Sequence, residues 1–442
     1  MTGRDAAWVA EASGARLVAG DPARPGPERA VVDSRETRAG DLFVGVPGAR
    51  VDGGAFAPDA LAAGAWGVLV ADRHAERAAA VSAEGQVVLA AEDPVAALGA
   101  LARGWRRALG CPAIGVTGST GKTSTKDILA ALLRPRLRTH ANRANLNTEI
   151  GLPLALLEAP EGTEVLVLEM AMRGEGQIAQ LAAIAEPEVG VIVNVGPVHL
   201  ELLGTVERVA AAKAELIRDL PPGAACVVPA NEPLLERHLR DDLDTITFGP
   251  GGDVHLVAFE DGRARIDARG QEVELELPYA EPYNLLNTLA AVAAATAVGV
   301  VPSGRVDVQF SPLRNEVVEL PGGVTVVNDC YNANPMSMRA ALEHLAAAPA
   351  QRRIAVLGEM AELGPESERF HRDVGAHARE LGIDVLVCVG EAALPIADEF
   401  DGETYPVATP EEAGALLSEI AAPGDRVLIK GSRSAGLERV LA

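Results

Sequence analysis

Aromatic residues and cysteine are both scarce in this chain of 442 residues. Phe, Trp and Tyr together make up 3% of the sequence, which argues against the stacked aromatic platforms that bind single-stranded nucleic acid. The four cysteines are widely separated and form no CxxC pair, so neither a disulfide framework nor a zinc knuckle is expected. A reducing cytoplasm is the simplest environment for such thiols. They are Cys111, Cys226, Cys330 and Cys388.

Positive charge is also in short supply. Acidic residues outnumber basic residues 62 to 39, which gives a formal net charge of -23. Such a surface repels a polyanion, so nucleic acid is not expected as a partner. A phosphorylated metabolite would have to be bound by a small local cluster of cations.

Long apolar runs are missing as well. The N-terminal residues contain no apolar segment of signal-peptide length. The most apolar stretch, 285–301, is mostly alanine and includes Asn287 and Thr288. We therefore expect a packed helix there and no membrane insertion. The length of the chain predicts two to four domains.

Lysine occurs only four times, and every other basic residue is arginine. Arginine supplies a permanent charge, whereas the lysine amine can be deprotonated and modified. A position that retains lysine in this chain is therefore a candidate for amine chemistry. The four positions are Lys122, Lys126, Lys213 and Lys430.

Short apolar runs that alternate with helical segments predict an α/β protein of three domains. A small mixed α/β domain is expected over residues 1–107. A central P-loop mononucleotide-binding domain with a parallel sheet is expected over 108–305, and a Rossmann-like α/β domain over 306–442. Within the central domain, residues 255–277 alternate as antiparallel hairpins do.

A phosphate-binding loop is predicted between an apolar strand and a helix. Glycines let backbone N–H groups turn around phosphate oxygens, and the helix N-terminus adds positive potential. Lys122 is expected to reach the outer phosphates and the Thr123 hydroxyl to bind Mg²⁺, whereas Lys126 is expected to be solvated or a weak phosphate contact. Val116 stands where the full pattern has its first glycine, so the match is to the shorter G-x-x-G-K-T core. The predicted loop residues are Gly118, Ser119, Thr120, Gly121, Lys122, Thr123 and Ser124.

Three further residues suggest a metal site at the same edge of the central sheet. Glu169 ends one buried strand, His199 follows the next, and Lys213 lies on the helix after it. Carboxylate and imidazole groups there fit one or two Mg²⁺ ions beside a nucleotide. A protonated Lys213 would repel a metal cation. If its amine has added CO₂, however, the resulting carbamate is anionic and can bind the metal. Taken singly, each residue is more often structural or solvated.

Nine motifs resemble those of the Mur ligases and together cover essentially the whole chain. The resemblance implies that the first domain binds a UDP-muramyl peptide, the central domain binds ATP, and the last closes over both. It also implies ATP and Mg²⁺ as cofactors and a cytoplasmic enzyme of peptidoglycan synthesis. The motifs are DSRETRAGDLFVGVPG (33–48), VTGSTGKTSTK (116–126), NLNTEIGLP (145–153), LEMAMRGEGQI (168–178), HLELLGTVERVAAAKAEL (199–216), YNLLNTLAA (283–291), NDCYNANPMSMRAAL (328–342), LGEMAELG (357–364) and KGSRSAGLE (430–438).

Within that family, residues 328–337 are similar to the member that adds D-alanyl-D-alanine to UDP-N-acetylmuramoyl-tripeptide. This implies ATP-dependent amide formation through an acyl phosphate, and we expect a monomer. The third residue of the tripeptide, lysine or diaminopimelate, stays open. The alternatives are a sister Mur-type or folylpolyglutamate-type ligase, and a nucleotide-gated binding protein or NTPase.

The resemblance also implies roles for individual residues. The catalytic residues would be Lys122, Glu169, His199 and Lys213. The metal ligands would be Thr123, Glu169, His199 and Lys213 as its carbamate. Further ATP contacts would come from Asn284, Asn287, Arg314 and Asp329. Substrate contacts would come from Ser34, Arg35, Asn147, Thr148, Tyr331, Asn332 and Asn334. Lys430 lies in a motif but receives no role.

Three positions depart from the family pattern. Gly54 stands where many relatives have the histidine of D-G-H-x-F, which puts one contact on the uridine side in doubt. Tyr283 stands where histidine often precedes the asparagine pair, and Leu313 replaces the usual glycine before Arg314. None of the three falls in the phosphate loop or among the expected metal ligands.

Overall fold

The computed structural model describes residues 1 and 3–441, which form three β-sheets with helices packed against them. We call the parts of the chain around these sheets the N-terminal, central and C-terminal units. This mixed α/β architecture confirms the predicted fold class, while the domain limits at 107 and 305 stay predictions. Among the helices of the described residues, none combines the length and the apolar character needed to cross a membrane.

The N-terminal unit contains a five-stranded sheet of order β1-β5-β4-β3-β2. The first strand runs antiparallel to its neighbour, and the other four run parallel. Its strands are β1 Arg16–Ala19, β2 Arg29–Val31, β3 Asp41–Val44, β4 Gly67–Ala71 and β5 Val87–Ala91. Its helices are α1 Ala6–Ser13, α2 Ala57–Ala62, α3 Asp72–Val81 and α4 Pro94–Leu109, with short 3₁₀ turns at Ser34–Glu36 and Gly53–Phe56.

The central unit contains a ten-stranded sheet of order β15-β14-β13-β12-β11-β10-β9-β6-β8-β7. Its strands are β6 Ala113–Thr117, β7 Thr139–Ala141, β8 Val165–Glu169, β9 Val189–Ile192, β10 Ala225–Pro229, β11 Asp244–Phe248, β12 Val254–Glu260, β13 Arg263–Ala268, β14 Gln271–Glu276 and β15 Gly304–Arg305. Its helices are α5 Lys122–Leu133, α6 Gly151–Leu157, α7 Gln177–Ala185, α8 Leu200–Leu203, α9 Val206–Asp219, α10 Pro233–Glu236 and α11 Pro282–Ala297.

The strand directions of this sheet follow the sequence pattern. Strands β6 to β11 are parallel, which matches the apolar runs of β6, β8, β9 and β10. The predicted antiparallel hairpins are confirmed, because β13 pairs antiparallel with both β12 and β14. The alanines at 290, 291 and 293–295 of α11 are fully buried, so the apolar stretch there is a packed helix as expected.

The C-terminal unit contains a six-stranded sheet of order β16-β17-β21-β18-β19-β20, parallel except for β16. Its strands are β16 Glu316–Leu320, β17 Val324–Asn328, β18 Arg353–Leu357, β19 Val385–Val389, β20 Glu403–Val407 and β21 Arg426–Lys430. Its helices are α12 Pro335–Ala347, α13 Ser367–Glu380 and α14 Pro410–Ile420, with 3₁₀ turns at Gly364–Glu366, Glu391–Glu399, Arg433–Ala435 and Leu437–Leu441.

Helix α12 begins at Pro335, directly after the family-like segment that ends at Asn334. Asn334 is its N-cap and accepts a hydrogen bond from the Ser337 backbone N–H at 2.9 Å, while the Ser337 hydroxyl accepts from the Asn334 N–H at 3.0 Å. Such a reciprocal capping box satisfies two backbone donors at a helix start. It holds the segment from Tyr331 to Asn334 at the edge of the C-terminal sheet that faces the central unit.

Candidate nucleotide and metal site

The phosphate loop joins β6 to α5, as its sequence predicts. Gly121 adopts a left-handed φ of 77°, and a Cβ there would lie 2.6 Å from the Asn287 Oδ1 atom, so only glycine fits. Asn194 holds the loop open from the neighbouring strand: its Oδ1 accepts hydrogen bonds from the backbone N–H groups of Ser119 at 3.1 Å and Thr120 at 2.9 Å. These two hydrogen bonds fix the shape of the loop.

Lys122 lies at the start of α5, and its Nζ donates to the Gly118 carbonyl at 2.7 Å. Burial lowers the pKa of Lys122, while the nearby Glu169 carboxylate opposes that shift and Arg314 adds to it. These opposing charges show that an acidic and a basic side chain both lie close to the amine. A phosphate oxygen could replace the Gly118 carbonyl as the acceptor for the Lys122 amine.

A cavity of about 420 Å³ opens between this loop and the C-terminal unit. All the residues predicted to bind ATP line this cavity except Gly118. Those that line it are Ser119, Thr120, Gly121, Lys122, Thr123, Ser124, Asn284, Asn287, Arg314 and Asp329. Asn332 and Asn334, which the resemblance assigned to substrate, line the same cavity.

The opposite wall of the cavity was missed by the sequence reasoning. It is formed by the ends of β10 and β11 and the residues that follow them, by side chains from α11 and α12, and by two residues of the segment before β16. The rule that ligands bind at the carboxyl ends of parallel strands could have identified the strand-end residues. The members of this wall include Pro229, Ala230, Asn231, Glu232, Phe248, Gly249, Pro250, Tyr283, Leu286, Phe310, Asn315 and Met336.

Arg314 links the C-terminal unit to the phosphate loop. Its Nη2 donates to the Thr123 hydroxyl at 3.1 Å, and its guanidinium lies over the Tyr331 ring, 4.1 Å from the ring centre. Its Nε is buried without a hydrogen-bond partner among the described residues. The preceding Leu313 has φ of 61°, which explains why glycine is usual there: a β-carbon in this conformation costs about 1–2 kcal/mol.

Glu169 is buried at the end of β8 and has one satisfied and one unsatisfied carboxylate oxygen. Its Oε1 accepts a hydrogen bond from the Asn147 Nδ2 at 2.8 Å. Its Oε2 is buried and has no hydrogen-bond partner among the described residues. A buried carboxylate oxygen left in this way is costly unless a cation binds it. The donor therefore fits a hard cation such as Mg²⁺.

His199 and Lys213 lie beside the same site. Burial and the charges of Lys122 and Lys213 lower the pKa of His199, whereas Glu362 raises it. Burial, with a contribution from Lys122, lowers the pKa of Lys213 well below its ordinary value. Neutral imidazole is the form that binds metals, and a neutral amine is the form that adds CO₂. The residues present therefore fit the predicted metal set.

The described residues contain no conventional cluster of metal-binding side chains. Among the described residues, no group of three or more His, Cys, Asp and Glu side chains is placed to hold an ion. Of the predicted metal ligands, only Glu169 and His199 are of these residue types, and three are needed. Mg²⁺ commonly keeps several water ligands, so a site with few protein ligands is compatible with that ion.

Two of the four lysines are paired with aspartates. Lys126 is buried, its Nζ donates to the Asn142 carbonyl at 2.8 Å, and it lies 3.0 Å from the Asp127 carboxylate. The expectation of a solvated residue was therefore wrong, because the first turn of α5 packs against the segment after β7. Lys430, which had no predicted role, donates to the Asp329 Oδ2 at 2.5 Å and to the Asn332 carbonyl at 3.1 Å.

The predicted substrate residues of the central unit lie on the segment before α6. Asn147 binds its carboxylate, and the Thr148 hydroxyl accepts from the Gly151 N–H at 3.4 Å at the start of α6. Ser34 and Arg35 instead follow β2 in the N-terminal unit. The Arg35 guanidinium holds the pKa of the Asp33 carboxyl at about 2 and is itself exposed.

An imidazole occupies the space beside Gly54, where the family pattern has a histidine. It belongs to His74 of α3, whose Nε2 lies 2.7 Å from the Asp52 Oδ2. A Cβ at Gly54 would come within 2.4 Å of the His74 ring. His74 therefore brings an imidazole to the Asp52 loop from a different part of the sequence.

We expect Gly54→Ala to destabilise the protein, because the new methyl group would push His74 away from Asp52. The free energy of unfolding should fall by about 1–3 kcal/mol, the usual cost of overpacking. In a His74→Ala background the same substitution should be nearly neutral. Urea unfolding of the two single variants and the double variant measures this coupling.

Gly174→Ala is the matched control, because a Cβ there would meet no atom within 4 Å. Its unfolding midpoint should stay at the wild-type value. Equal losses from Gly54→Ala in the two backgrounds would show that His74 is not the group that excludes a side chain at residue 54.

Three family models match the chain in succession. The model described as "Mur ligase family, catalytic domain" matches residues 30–106. The model described as "Mur ligase middle domain" matches 116–295, and "Mur ligase, glutamate ligase domain" matches 313–433. Together they cover most of the sequence.

Curated relatives match over nearly the full length. The UDP-N-acetylmuramoyl-tripeptide–D-alanyl-D-alanine ligase of Synechocystis is 39% identical, and the match covers 93% of this chain and 90% of that protein. The enzyme of the same name from Bacillus subtilis is 33% identical, with 97% and 96% covered. The Escherichia coli enzyme is 31% identical, with 92% of each chain covered.

Solved structures show the same fold. MurF from Acinetobacter baumannii superimposes with a TM-score of 0.87 at 27% identity and covers 99% of this chain and 98% of that one. MurF from Thermotoga maritima, solved in complex with ADP, gives a TM-score of 0.81 at 34% identity, with 93% and 96% covered.

Proposed function

The chain belongs to the Mur ligase family, and from this we propose that it joins D-alanyl-D-alanine to UDP-N-acetylmuramoyl-tripeptide at the expense of ATP. The observation that carries the proposal is the cavity between the phosphate loop and the C-terminal unit, with Glu169, His199 and Lys213 beside the loop. It is supported by relatives of that name at 31–39% identity over most of the chain.

The reaction needs an activated carboxylate, because a carboxylate at neutral pH is a poor electrophile. A terminal carboxylate oxygen of the tripeptide attacks the γ-phosphorus of ATP, and ADP leaves. The amine of D-alanyl-D-alanine then attacks the carbonyl carbon of the acyl phosphate. The tetrahedral intermediate collapses, inorganic phosphate departs, and the amine nitrogen loses a proton. The products are the pentapeptide amide, ADP and phosphate.

The phosphate loop and two cations bind the transferring phosphoryl group. Lys122 exchanges its contact with the Gly118 carbonyl for a phosphate oxygen, and the loop N–H groups bind the remaining oxygens. Arg314 reaches the same place from the C-terminal unit. Charge that builds up on the phosphoryl oxygens is stabilised most strongly by such fixed groups.

The metal ligands in this proposal are Thr123, Glu169, His199 and Lys213 as its carbamate. Bound Mg²⁺ would supply Lewis-acid stabilisation of the phosphate oxygens. The support from this chain is the buried Oε2 of Glu169, which has no hydrogen-bond partner within residues 1 and 3–441, and the lowered pKa of Lys213, which favours the neutral amine. Asn147 orients the Glu169 carboxylate through its other oxygen.

The remaining predicted residues would bind the two organic substrates. Ser34 and Arg35 follow a parallel strand of the N-terminal unit, at the edge where such sheets bind ligands. Tyr331, Asn332 and Asn334 are held near the phosphate loop by Lys430 and by the contact of Asn334 with the Ser119 carbonyl at 3.4 Å. A cytoplasmic location and a monomeric state are part of the same proposal.

The test mixes the purified chain with ATP, Mg²⁺, UDP-N-acetylmuramoyl-tripeptide and D-alanyl-D-alanine. We expect ADP release to require both organic substrates and a pentapeptide product to be detected by mass spectrometry. A panel with single amino acids or D-glutamate as acceptors identifies a sister ligase, since those reactions would then proceed faster. ADP release that ignores every acceptor would indicate an NTPase and contradict the proposal.

A further inference from the structure

Glu362 lies on a loop that is fixed firmly to the C-terminal unit. This loop follows β18. The Met360 N–H donates to the His371 Nε2 at 2.9 Å, and the Ala361 N–H donates to the Ser432 hydroxyl at 2.8 Å. Leu363 is 1% exposed. Because the loop is anchored on both sides of Glu362, this side chain must move together with the C-terminal unit.

The same loop contacts the central unit at the residue that follows β9. A carboxylate oxygen of Glu362 and the Nδ1 of His199 are hydrogen-bonded, and the Glu362 carbonyl accepts a hydrogen bond from the Glu201 N–H at 3.1 Å. A Cβ at Gly364 would lie 3.1 Å from the Glu201 Cα. The approach of the two backbones is therefore close, and the hydrogen bond joins two different units of the chain.

Both residues of this pair have an unusual backbone. His199 has φ of 53° and Glu362 has φ of 63°, which lie in the left-handed region that residues with a β-carbon rarely adopt. Conformations of this kind persist where the surrounding structure imposes them, and they cluster at active sites and switch regions. In this protein the two left-handed residues place the Glu362 carboxylate against the His199 imidazole.

The hydrogen bond has a chemical consequence for His199. An ionised carboxylate can only accept, so this contact favours the imidazole tautomer with its proton on Nδ1. A neutral imidazole in this state keeps its lone pair on Nε2. Metal-binding histidines usually donate their second ring N–H to a carboxylate or a carbonyl, and this contact fixes both the tautomer and the ring orientation.

We propose that Glu362 is a positioning residue that prepares His199 to bind a cation only when the C-terminal unit is seated on the central unit. With the units apart, His199 loses its acceptor and either nitrogen can carry the proton. The inference rests on the proposed function for the role of the cation. It adds that seating of the C-terminal unit, and not only nucleotide binding, completes the metal site.

Isotope-labelled protein provides a readout that needs neither metal nor peptide substrate. The ¹⁵N spectrum of histidine-labelled full-length protein, saturated with a non-hydrolysable ATP analogue, distinguishes the two tautomers. His199→Gln identifies the signals of residue 199. We expect the Nδ1–H form in the wild type and a shift toward the Nε2–H form in Glu362→Ala. Glu362→Gln should lie between them, because its amide oxygen still accepts a hydrogen bond.

Manganese affinity gives the second readout. In the presence of the same analogue, electron paramagnetic resonance should show Mn²⁺ binding about 10–100-fold more weakly in Glu362→Ala, the range seen when such partners of a ligand are removed. Glu366→Gln is the matched control, since that exposed glutamate on the same loop pairs with Arg369 of its own unit. It should leave both readouts unchanged.

The outcomes separate this inference from the substrate assignment. An unchanged tautomer and unchanged Mn²⁺ affinity in folded Glu362→Ala would overturn the positioning role, even if the wild type makes the pentapeptide. A changed tautomer and weakened Mn²⁺ binding would support it even if the wild type makes no such product. Wild-type melting temperatures in all variants exclude unfolding as the cause.

Discussion

Lys213→Arg is expected to lose as much activity as Lys213→Ala. Arginine keeps the positive charge but cannot form a carbamate, and its guanidinium is not deprotonated in proteins. Without the anionic ligand, kcat should fall about 1000-fold, which corresponds to about 4 kcal/mol of lost transition-state stabilisation. The measurement is the steady-state rate of pentapeptide formation at saturating ATP.

A lysine–arginine exchange on the exposed face of the same helix serves as the control. Arg208 of α9 pairs with Glu175 at the surface, so Arg208→Lys should keep wild-type turnover. Labelling with ¹³C-bicarbonate should add a carbamate carbon signal to the wild type and none to Lys213→Ala. Near-normal turnover in Lys213→Arg would exclude the carbamate as a required ligand.

Glu169→Gln should give the second large effect. The amide keeps the size of the side chain and can still contact Asn147, but it removes the charge from the oxygen that has no hydrogen-bond partner. We expect kcat to fall roughly 100- to 1000-fold, because the transferring phosphoryl group loses much of its cation stabilisation. The Mg²⁺ concentration for half-maximal rate should rise in the same experiment.

Glu175→Gln is the matched control on the loop that follows the same strand. Glu175 is exposed and pairs with Arg208, so its neutralisation should change neither kcat nor the Mg²⁺ dependence. If Glu169→Gln kept the wild-type dependence on Mg²⁺, the carboxylate would act only through Asn147 and not as a ligand.

Local chemistry made part of this site predictable. The phosphate loop is a run of consecutive residues between a strand and a helix, so the sequence contains both its composition and its context. Glu169 and His199 could be predicted to lie near that loop, because the carboxyl ends of parallel strands meet at one edge of the sheet. The left-handed Leu313 likewise has a sequence signal, since it replaces a usual glycine.

Long-range pairing made the rest unpredictable. Glu362 and His199 are 163 residues apart in the sequence, and Lys430 and Asp329 are 101 apart. Neither pair has a spacing that a helix or a strand would reveal. The burial of Lys126 depends on a segment that passes over α5 from β7. Such partners are determined by how distant strands, helices and units pack against one another, which no local pattern encodes.

The scarcity of lysine has a practical consequence once the structure is known. Lys126, Lys213 and Lys430 are each 2% exposed, and Lys122 is only partly exposed inside the nucleotide cavity. Amine-directed acylating reagents therefore find no fully exposed lysine on this protein. A nucleotide analogue with an acylating group on its terminal phosphate would meet the partly exposed amine of Lys122, whereas Lys430, which also lines the cavity, is buried and paired with Asp329. Selective covalent labelling of the phosphate loop then becomes a direct measure of how many molecules have a competent nucleotide site.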